Sequence, residues 1–217
     1  MDRVTLASLI DHTLLAPEAT TQQVTALCEE ATDLGVAAVC VSPSHLPITA
    51  GLGVGIDVAT VIGFPSGAHQ PAVKAHEAEV AVDAGADELD VVVNLGLVKA
   101  GAWLSVGDDI AAVRAAAPST VLLKVILETG ALSEEEIAEG CRVAEASGAD
   151  FVKTSTGFHP SGGATLAAVR IMAATVGGRL GIKASGGIRD AATALAMVDA
   201  GATRLGCSAS RAILDGL

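Results

Sequence analysis

Three lysines interrupt short apolar runs that the sequence predicts to be buried β-strands. They are Lys124, Lys153 and Lys183. Because side chains alternate between the two faces of a strand, Lys124 shares a face with Leu122 and Ile126, which predicts that it points into the core. A buried ammonium is costly unless it is paired, neutralised or retained for function. Each lysine alone could be a strand-end side chain that reaches water, but three on different strands favour a site.

Two lysines held close together could supply one nucleophilic amine. A lysine attacks a carbonyl carbon only when it is neutral, and its ordinary pKa of about 10.4 leaves few neutral molecules at pH 7. A second ammonium about 5 Å away opposes protonation by about 3 kcal/mol at an effective dielectric constant near 20, and burial acts in the same direction. Asp90 shares the inward face with Val92 and Asn94, so its carboxylate could pair with one of these lysines.

A second pattern points to an anion. The segment Lys183-Ala-Ser-Gly-Gly-Ile-Arg189 places two glycines between a predicted strand and a predicted helix, where bare backbone amides can approach a phosphate. The segment Leu205-Gly-Cys-Ser208 ends the next strand. The alternative for a Gly-Gly pair is a tight turn without a ligand, but the loops after the seventh and eighth strands of a barrel commonly bind phosphate.

The elements that must position these residues alternate along the whole chain. Short β-branched runs alternate with Ala- and Glu-rich helical stretches such as Ala72 to Ala84 and Glu134 to Ala146. Ser133 and Glu136 predict a capping box at the start of the latter. The predicted strands are Leu9 to Thr13, Val36 to Val41, Asp57 to Ile62, Glu88 to Val93, Val121 to Leu127, Phe151 to Lys153, Gly181 to Ala184 and Arg204 to Gly206.

Strands that are almost entirely apolar and separated by helices predict parallel pairing with both faces buried. The expected fold is therefore α/β, a single (β/α)8 TIM barrel over residues 1–217. The three lysines are expected near the carboxyl ends of their strands, where the active sites of such barrels lie. A doubly wound open sheet is the alternative. It is disfavoured because no G-x-G-x-x-G follows the first convincing strand.

Composition excludes several classes of function. A net charge of −12 and an aromatic content of 2% oppose binding to nucleic acid. The longest uncharged stretch contains prolines, serines and glycines, so no membrane span is expected, and the amino-terminal residues do not resemble a secretory signal, which predicts a cytoplasmic protein. The four cysteines show no C-x-x-C spacing, so neither a metal nor a disulfide framework is expected.

These motifs resemble those of the deoxyribose-phosphate aldolases across nearly the whole chain. Lys153-Thr-Ser-Thr-Gly157 is similar to the Schiff-base motif of that family, and the segment from Lys183 to Arg189 is similar to its activating lysine and phosphate loop. The further blocks that match in family order are Ile10-Asp-His-Thr-Leu-Leu15, Val61-Ile-Gly-Phe-Pro65, Glu88-Leu-Asp-Val-Val-Val-Asn94 and Leu123-Lys-Val-Ile-Leu-Glu-Thr129.

The resemblance implies a class I aldolase that uses neither a metal nor an organic cofactor. Its implied reaction is the reversible cleavage of 2-deoxy-D-ribose 5-phosphate to D-glyceraldehyde 3-phosphate and acetaldehyde. Lys153 would form the imine, Lys183 would lower its pKa, and Asp90 would move protons through a water. Lys124 and Asp11 would complete a network of polar side chains around Lys153, and Thr156 would order it. Asn94 and Cys40 would contact the sugar. The phosphate would be held by Gly157, Gly186, Gly187, Gly206 and Ser208. A homo-oligomer is compatible with this family.

The chain departs from the family pattern at three places. Ala209 follows Ser208 where relatives often have a second serine, Ala16 stands where many carry a lysine, and the chain contains no tyrosine to assist proton transfer. Two alternatives remain open at this point. One is a Schiff-base aldolase acting on another phosphorylated sugar or keto acid, and the other is a silent barrel that binds a phosphorylated metabolite.

Overall fold

Eight parallel strands close into a barrel in which each strand pairs with the next and the eighth pairs with the first. The computed structural model describes residues 1–217. Closure is direct, because Ile10 of the first strand pairs with Leu205 of the eighth. The predicted (β/α)8 barrel is confirmed, and the open doubly wound sheet is wrong because a closed barrel has no edge strands.

The predicted strands all exist, with their ends shifted by at most two residues. They are β1 (Ile10–Leu14), β2 (Ala38–Val41), β3 (Asp57–Ile62), β4 (Glu88–Val92), β5 (Leu122–Ile126), β6 (Phe151–Lys153), β7 (Gly181–Ser185) and β8 (Arg204–Cys207). The helices are α1 (Arg3–Ala7), α2 (Thr21–Leu34), α3 (Pro71–Asp83), α4 (Leu95–Lys99), α5 (Trp103–Ala116), α6 (Glu134–Ala146), α7 (Leu166–Val176), α8 (Ala191–Asp199) and α9 (Ser210–Asp215). None of them combines the length and the apolar composition needed to span a bilayer.

Local sequence explains where the outer helices begin and end. The predicted capping box opens α6: the Ser133 side chain accepts a hydrogen bond from the Glu136 N–H, and the Glu136 carboxylate accepts one from the Ser133 N–H at 2.7 Å. Gly35 ends α2 in the left-handed conformation with φ of 65°. Gly148 follows α6 with φ of 84°, so the chain can turn from the helix directly into the next strand.

The strands divide their residues between two apolar environments. Val39 and Val41 of β2 join the main core, where the outer face of the barrel packs against the helices. Their neighbours Ala38 and Cys40 belong to a smaller cluster with Leu15, Ala59 and Val61, against which Phe64 packs. This second cluster fills the inner face of β2 and β3. One side of the barrel interior is therefore apolar, and the charged side chains predicted to point inward must occupy the other side.

The segment after β3 lies against the end of β4 and requires a glycine there. Gly67 has φ of 68°, and its N–H donates to the Gly63 carbonyl at 2.8 Å. A Cβ atom at Gly67 would lie 1.9 Å from the carbonyl oxygen of Val93. The close approach fixes this segment onto the strand that carries Asp90.

We expect Gly67→Ala to lower the free energy of unfolding much more than Gly55→Ala. Both positions have positive φ, which costs a residue with a Cβ atom about 1–2 kcal/mol, but a Cβ atom at Gly55 meets nothing within 4 Å. The collision with Val93 should add about 1–3 kcal/mol because the backbone must move. Urea unfolding of the two variants measures the difference, and equal losses would contradict the close packing of Gly67.

Candidate active site

Asp90 lies at the centre of a group of buried charges inside the barrel. Its Oδ2 atom accepts hydrogen bonds from Nζ of both Lys153 and Lys183, each at 2.7 Å, and its Oδ1 atom accepts one from Lys124 Nζ at 2.8 Å. The two amines that share Oδ2 are therefore no further apart than twice that distance. The sequence prediction that Lys153 lies close to a second inward-facing lysine agrees with this geometry.

Three more side chains extend this group into a charged cluster. Lys183 also contacts Asp11, and Lys124 also contacts Glu88. Arg204 donates to Asp11 at 2.7 Å and to Glu88 at 3.3 Å. The charged cluster thus comprises Asp11, Glu88, Asp90, Lys124, Lys153, Lys183 and Arg204.

The balance of charge in this cluster favours one neutral amine. The cluster contains four basic side chains and three carboxylates, and six of the seven residues are buried. Burying a net charge is costly, so the cluster is most stable when one base is unprotonated. Lys153 has a single carboxylate partner, Asp90, whereas Lys124 and Lys183 each contact more than one. It is therefore the base expected to lose its proton first.

The directions of the pKa shifts agree with that assignment. Burial lowers the pKa of Lys153, and the nearby ammonium of Lys183 acts in the same direction against the carboxylate of Asp90. Burial also opposes charging of Lys183, but the carboxylates of Asp11 and Asp90 raise its pKa well above the ordinary value. Although burial favours its protonated form, the three surrounding ammonium groups hold the pKa of Asp90 well below its usual range.

The depth of the lysines corrects one sequence expectation. All three were expected near the carboxyl ends of their strands, and Lys153 is the last residue of β6. Lys124 and Lys183 instead lie in the middle of β5 and β7 and are fully buried. Their amines are enclosed inside the barrel by contacts with Asp11, Glu88 and Asp90. Of the three, Lys153 alone lines the cavity above.

A cavity of about 430 Å³ opens above Lys153 at the carboxyl ends of the strands. It is lined by the predicted residues Thr156, Gly157, Gly186, Gly187, Gly206 and Ser208, together with Ser185 and Arg189. The backbone N–H groups of Gly157, Gly186, Gly187 and Ser208 donate no hydrogen bond to another backbone group. They remain available to an anion. A larger depression of about 720 Å³ lies on the outer helices around Trp103 and contains none of the predicted site residues.

The other predicted residues occupy different positions relative to this cavity. Cys40 is fully buried in the apolar side of the barrel interior, and burial raises the pKa of its thiol. Asn94 caps α4, its side-chain oxygen accepting from the Gly96 N–H at 3.0 Å. Neither residue lines the cavity. Relatives often have a second serine at the position of Ala209. Ser210 cannot take its place, because the Ser210 hydroxyl is buried and hydrogen-bonded to His12 at 2.8 Å.

Four residues of this region were missed by sequence reasoning. Glu88 and Arg204 complete the charged cluster, and both could have been found from the alternation that identified Asp90 and Lys183. Arg189 lines the cavity without a carboxylate partner. Glu128 binds Thr156 from the loop after β5, and no sequence pattern indicated this contact.

Comparison with known proteins identifies the family. The family model described as DeoC/LacD family aldolase matches residues 5–216. The chain belongs to the DeoC/LacD aldolase family. Deoxyribose-phosphate aldolase of Kocuria rhizophila is 59% identical over 99% of this chain and 98% of that protein, and that of Nocardia farcinica is 62% identical over 99% and 95%. The resemblance inferred from the motifs is confirmed.

Solved structures agree with this family and with the barrel. A structure described as QR15, an aldolase, is 39% identical with a TM-score of 0.92, covering 97% of this chain and 94% of that one. A tetrameric deoxyribose phosphate aldolase from Aeropyrum pernix is 35% identical with a TM-score of 0.90, covering 99% of this chain and 91% of that one. The protein is therefore an enzyme of the lyase class, as the sequence predicted.

We expect Lys153 to react with small aldehydes at a lower pH than the other lysines. Formaldehyde with cyanoborohydride methylates only neutral amines, so at pH 7 Lys153 should be modified before Lys124, Lys183 and the exposed Lys99. Peptide mass spectrometry after brief labelling measures each site. Faster labelling of Lys183 than of Lys153 would contradict the assignment.

The variant Lys183→Leu should slow labelling of Lys153 at pH 7 by about tenfold or more. Removing Lys183 removes a repelling cation and leaves Asp90 with one fewer cationic partner, and both effects raise the pKa of Lys153. Labelling should recover at alkaline pH. Failure to recover there would mean that the substitution had disrupted the site instead of shifting the titration of Lys153.

Proposed function

We propose that this chain reversibly cleaves 2-deoxy-D-ribose 5-phosphate to D-glyceraldehyde 3-phosphate and acetaldehyde through a Schiff base on Lys153. The observation that carries the proposal is the position of Lys153, a buried amine of lowered pKa at the floor of a cavity with unpaired backbone amides. The named activity of the close relatives supports the choice of substrate.

The chemistry follows from the electron demand of an iminium ion. Neutral Nζ of Lys153 adds to the C1 aldehyde, and loss of water from the carbinolamine gives the iminium. Removal of the proton from the C3 hydroxyl then breaks the C2–C3 bond, whose electrons move toward the iminium nitrogen. Glyceraldehyde 3-phosphate leaves, and the remaining enamine takes a proton at C2. Hydrolysis of this second iminium releases acetaldehyde and restores the amine.

Asp90 is the proposed proton carrier, and its surroundings explain how it could act. While all three lysines are protonated, their ammonium groups stabilise its carboxylate, which makes it a poor acid or base. When Lys153 is deprotonated and becomes a carbinolamine, the positive charge beside Oδ2 of Asp90 is lost. The pKa of Asp90 then rises toward the range in which a carboxyl exchanges protons through a water. Lys183 and Lys124 remain charged and hold the carboxylate in place.

The phosphate of the substrate is assigned to the loops after β6, β7 and β8. Gly186 and Gly187 have φ of 88° and 84°, which lets successive N–H groups point into the cavity. Gly157 and Ser208 contribute further unpaired amides, and the Ser208 hydroxyl adds a donor. The amides and the amine of Lys153 line one cavity, so a five-carbon sugar phosphate could contact both. The expectation of a homo-oligomer draws support from the tetrameric relative of Aeropyrum pernix.

Borohydride reduction in the presence of acetaldehyde should place a two-carbon tag on Lys153. Reduction traps the iminium as a stable secondary amine, and peptide mapping locates it. The variant Lys153→Arg keeps a cation beside Asp90 but cannot form the imine, so it should carry no tag.

The products of the untreated enzyme provide an independent test. Release of acetaldehyde from 2-deoxyribose 5-phosphate supports the proposed reaction, whereas dihydroxyacetone phosphate as the product of a different sugar would favour another Schiff-base aldolase. Tight binding of the sugar phosphate with no turnover would instead indicate a silent barrel.

We expect Ser208→Ala to raise KM for 2-deoxyribose 5-phosphate by about tenfold to a hundredfold, because loss of one hydrogen bond to a charged group costs about 1.5–3 kcal/mol. The value of kcat should change little, because the hydroxyl is remote from the bond that breaks. Steady-state kinetics with unphosphorylated 2-deoxyribose serves as the control. An equal loss with both sugars would contradict a role for Ser208 in binding phosphate.

A further inference from the structure

Glu128 has an unusual backbone and an unusual environment. It is the one residue other than glycine with positive φ, at 59° with ψ of 56°, and it is 1% exposed. A glutamate has no intrinsic preference for this left-handed conformation, and the hydrogen bonds of its buried carboxylate go to Thr156 alone. Such backbone strain persists only where the surrounding structure enforces it, and it is concentrated at functional sites.

The contacts of Glu128 all lead to the loop after β6. Its carboxylate accepts hydrogen bonds from the Thr156 N–H, with both oxygens at 3.3 Å, and from the Thr156 hydroxyl. The same hydroxyl accepts a hydrogen bond from the Phe158 N–H at 3.1 Å. One carboxylate therefore fixes the orientation of two peptide groups, directly at Thr156 and through the threonine at Phe158.

This contact begins where the backbone pairing of β5 with β6 ends. The Leu127 N–H donates to the Lys153 carbonyl at 2.9 Å, and the Thr129 N–H donates to the Thr154 carbonyl at 2.8 Å. Beyond Thr154 the backbone hydrogen bonds between the two segments end, and the N–H of Thr156 donates to the side chain of Glu128 instead. The left-handed conformation at Glu128 turns its side chain back toward the loop that follows Lys153.

The orientation of this loop leaves one amide for a ligand. The N–H groups of Thr156 and Phe158 are occupied within the protein, whereas the Gly157 N–H between them donates to no other backbone group. Lys153, Thr156, Gly157 and Phe158 all line the same cavity. Gly157 also lies against the phosphate loop, since a Cβ atom at Gly186 would lie 3.4 Å from its Cα atom.

We infer that Glu128 is a positioning residue. It holds Thr156, and thereby orients the Gly157 amide toward the phosphate. In this way it sets the geometry between the Schiff-base lysine and the phosphate site. This inference rests on the proposed function. Glu128 touches neither reacting atoms nor phosphate in this role. Lys153 is held separately by Asp90, so loss of Glu128 should impair recognition of the phosphate more than the carbon–carbon cleavage itself.

Two substitutions separate the carboxylate from the backbone strain. Glu128→Gln keeps the length and one acceptor oxygen but lacks the second. Glu128→Gly removes the side chain and also the cost of positive φ, so the relief of strain offsets part of the lost hydrogen bonding. Glu134→Gln, an exposed glutamate at the start of α6, is the matched control and should behave as the unaltered enzyme.

We expect Glu128→Gly to raise KM for 2-deoxyribose 5-phosphate by about tenfold or more, with a smaller change in kcat, because one charge-assisted hydrogen bond to the phosphate is lost. Glu128→Gln should show a smaller rise. Cleavage of unphosphorylated 2-deoxyribose should keep its kcat/KM within about threefold, since that sugar makes no phosphate contact. Urea unfolding of each variant shows whether the protein stays folded under assay conditions.

Thr156→Val provides a second route to the same contact. It removes the hydroxyl that links Glu128 to Phe158, so its effect on KM should not add to that of Glu128→Gln in the double variant. Additive effects, or parallel losses with both sugars, would show that Glu128 has a structural role alone. If the unaltered enzyme cleaved no 2-deoxyribose 5-phosphate, the proposed function itself would fail, and that outcome is visible before any variant is made.

Discussion

Three lysine amines share one carboxylate inside the barrel, and the site depends on this arrangement. Asp90 compensates Lys124, Lys153 and Lys183, while Asp11 and Glu88 provide the remaining negative charge. With one carboxylate fewer than the bases, the cluster is neutral only when one base gives up its proton. Lys153 has the fewest carboxylate partners and the direct route to solvent. Its reactivity is thus a property of the whole cluster, set by electroneutrality in a medium of low dielectric constant.

The closed barrel is what allows so many charges to meet. The cluster draws side chains from β1, β4, β5, β6, β7 and β8, and only a sheet that curves back on itself can direct all of them toward one axis. The apolar inner face of β2 and β3 occupies the opposite side and adds no competing hydrogen-bond partners. At the open end, Phe64 and Phe158 pack edge to face with ring centroids 5.2 Å apart, which covers the apolar side beside the cavity.

Much of this arrangement could be predicted from the period of the strands. Two-residue alternation placed Lys124, Lys153 and Asp90 on inward faces, and the spacing of strands and helices gave the barrel. Alternation fixes the face but not the depth, so Lys124 and Lys183 were expected too close to the strand ends. The role of Glu128 could not be predicted, because it depends on a left-handed backbone and on a contact between two loops. Loop conformations of this kind leave no periodic signal in the sequence.

The uncharged amides around the cavity have a consequence for how an anion would arrive. The protein carries a net charge of −12, and the buried cluster contributes almost none of it, so the negative charge lies on the exterior. At physiological ionic strength that field decays over about 8 Å, and it repels a sugar phosphate instead of steering it inward. Capture then relies on the amide dipoles and on the side chain of Arg189, which act at close range. We therefore expect the sugar phosphate to reach the cavity by ordinary diffusion, with little long-range electrostatic attraction.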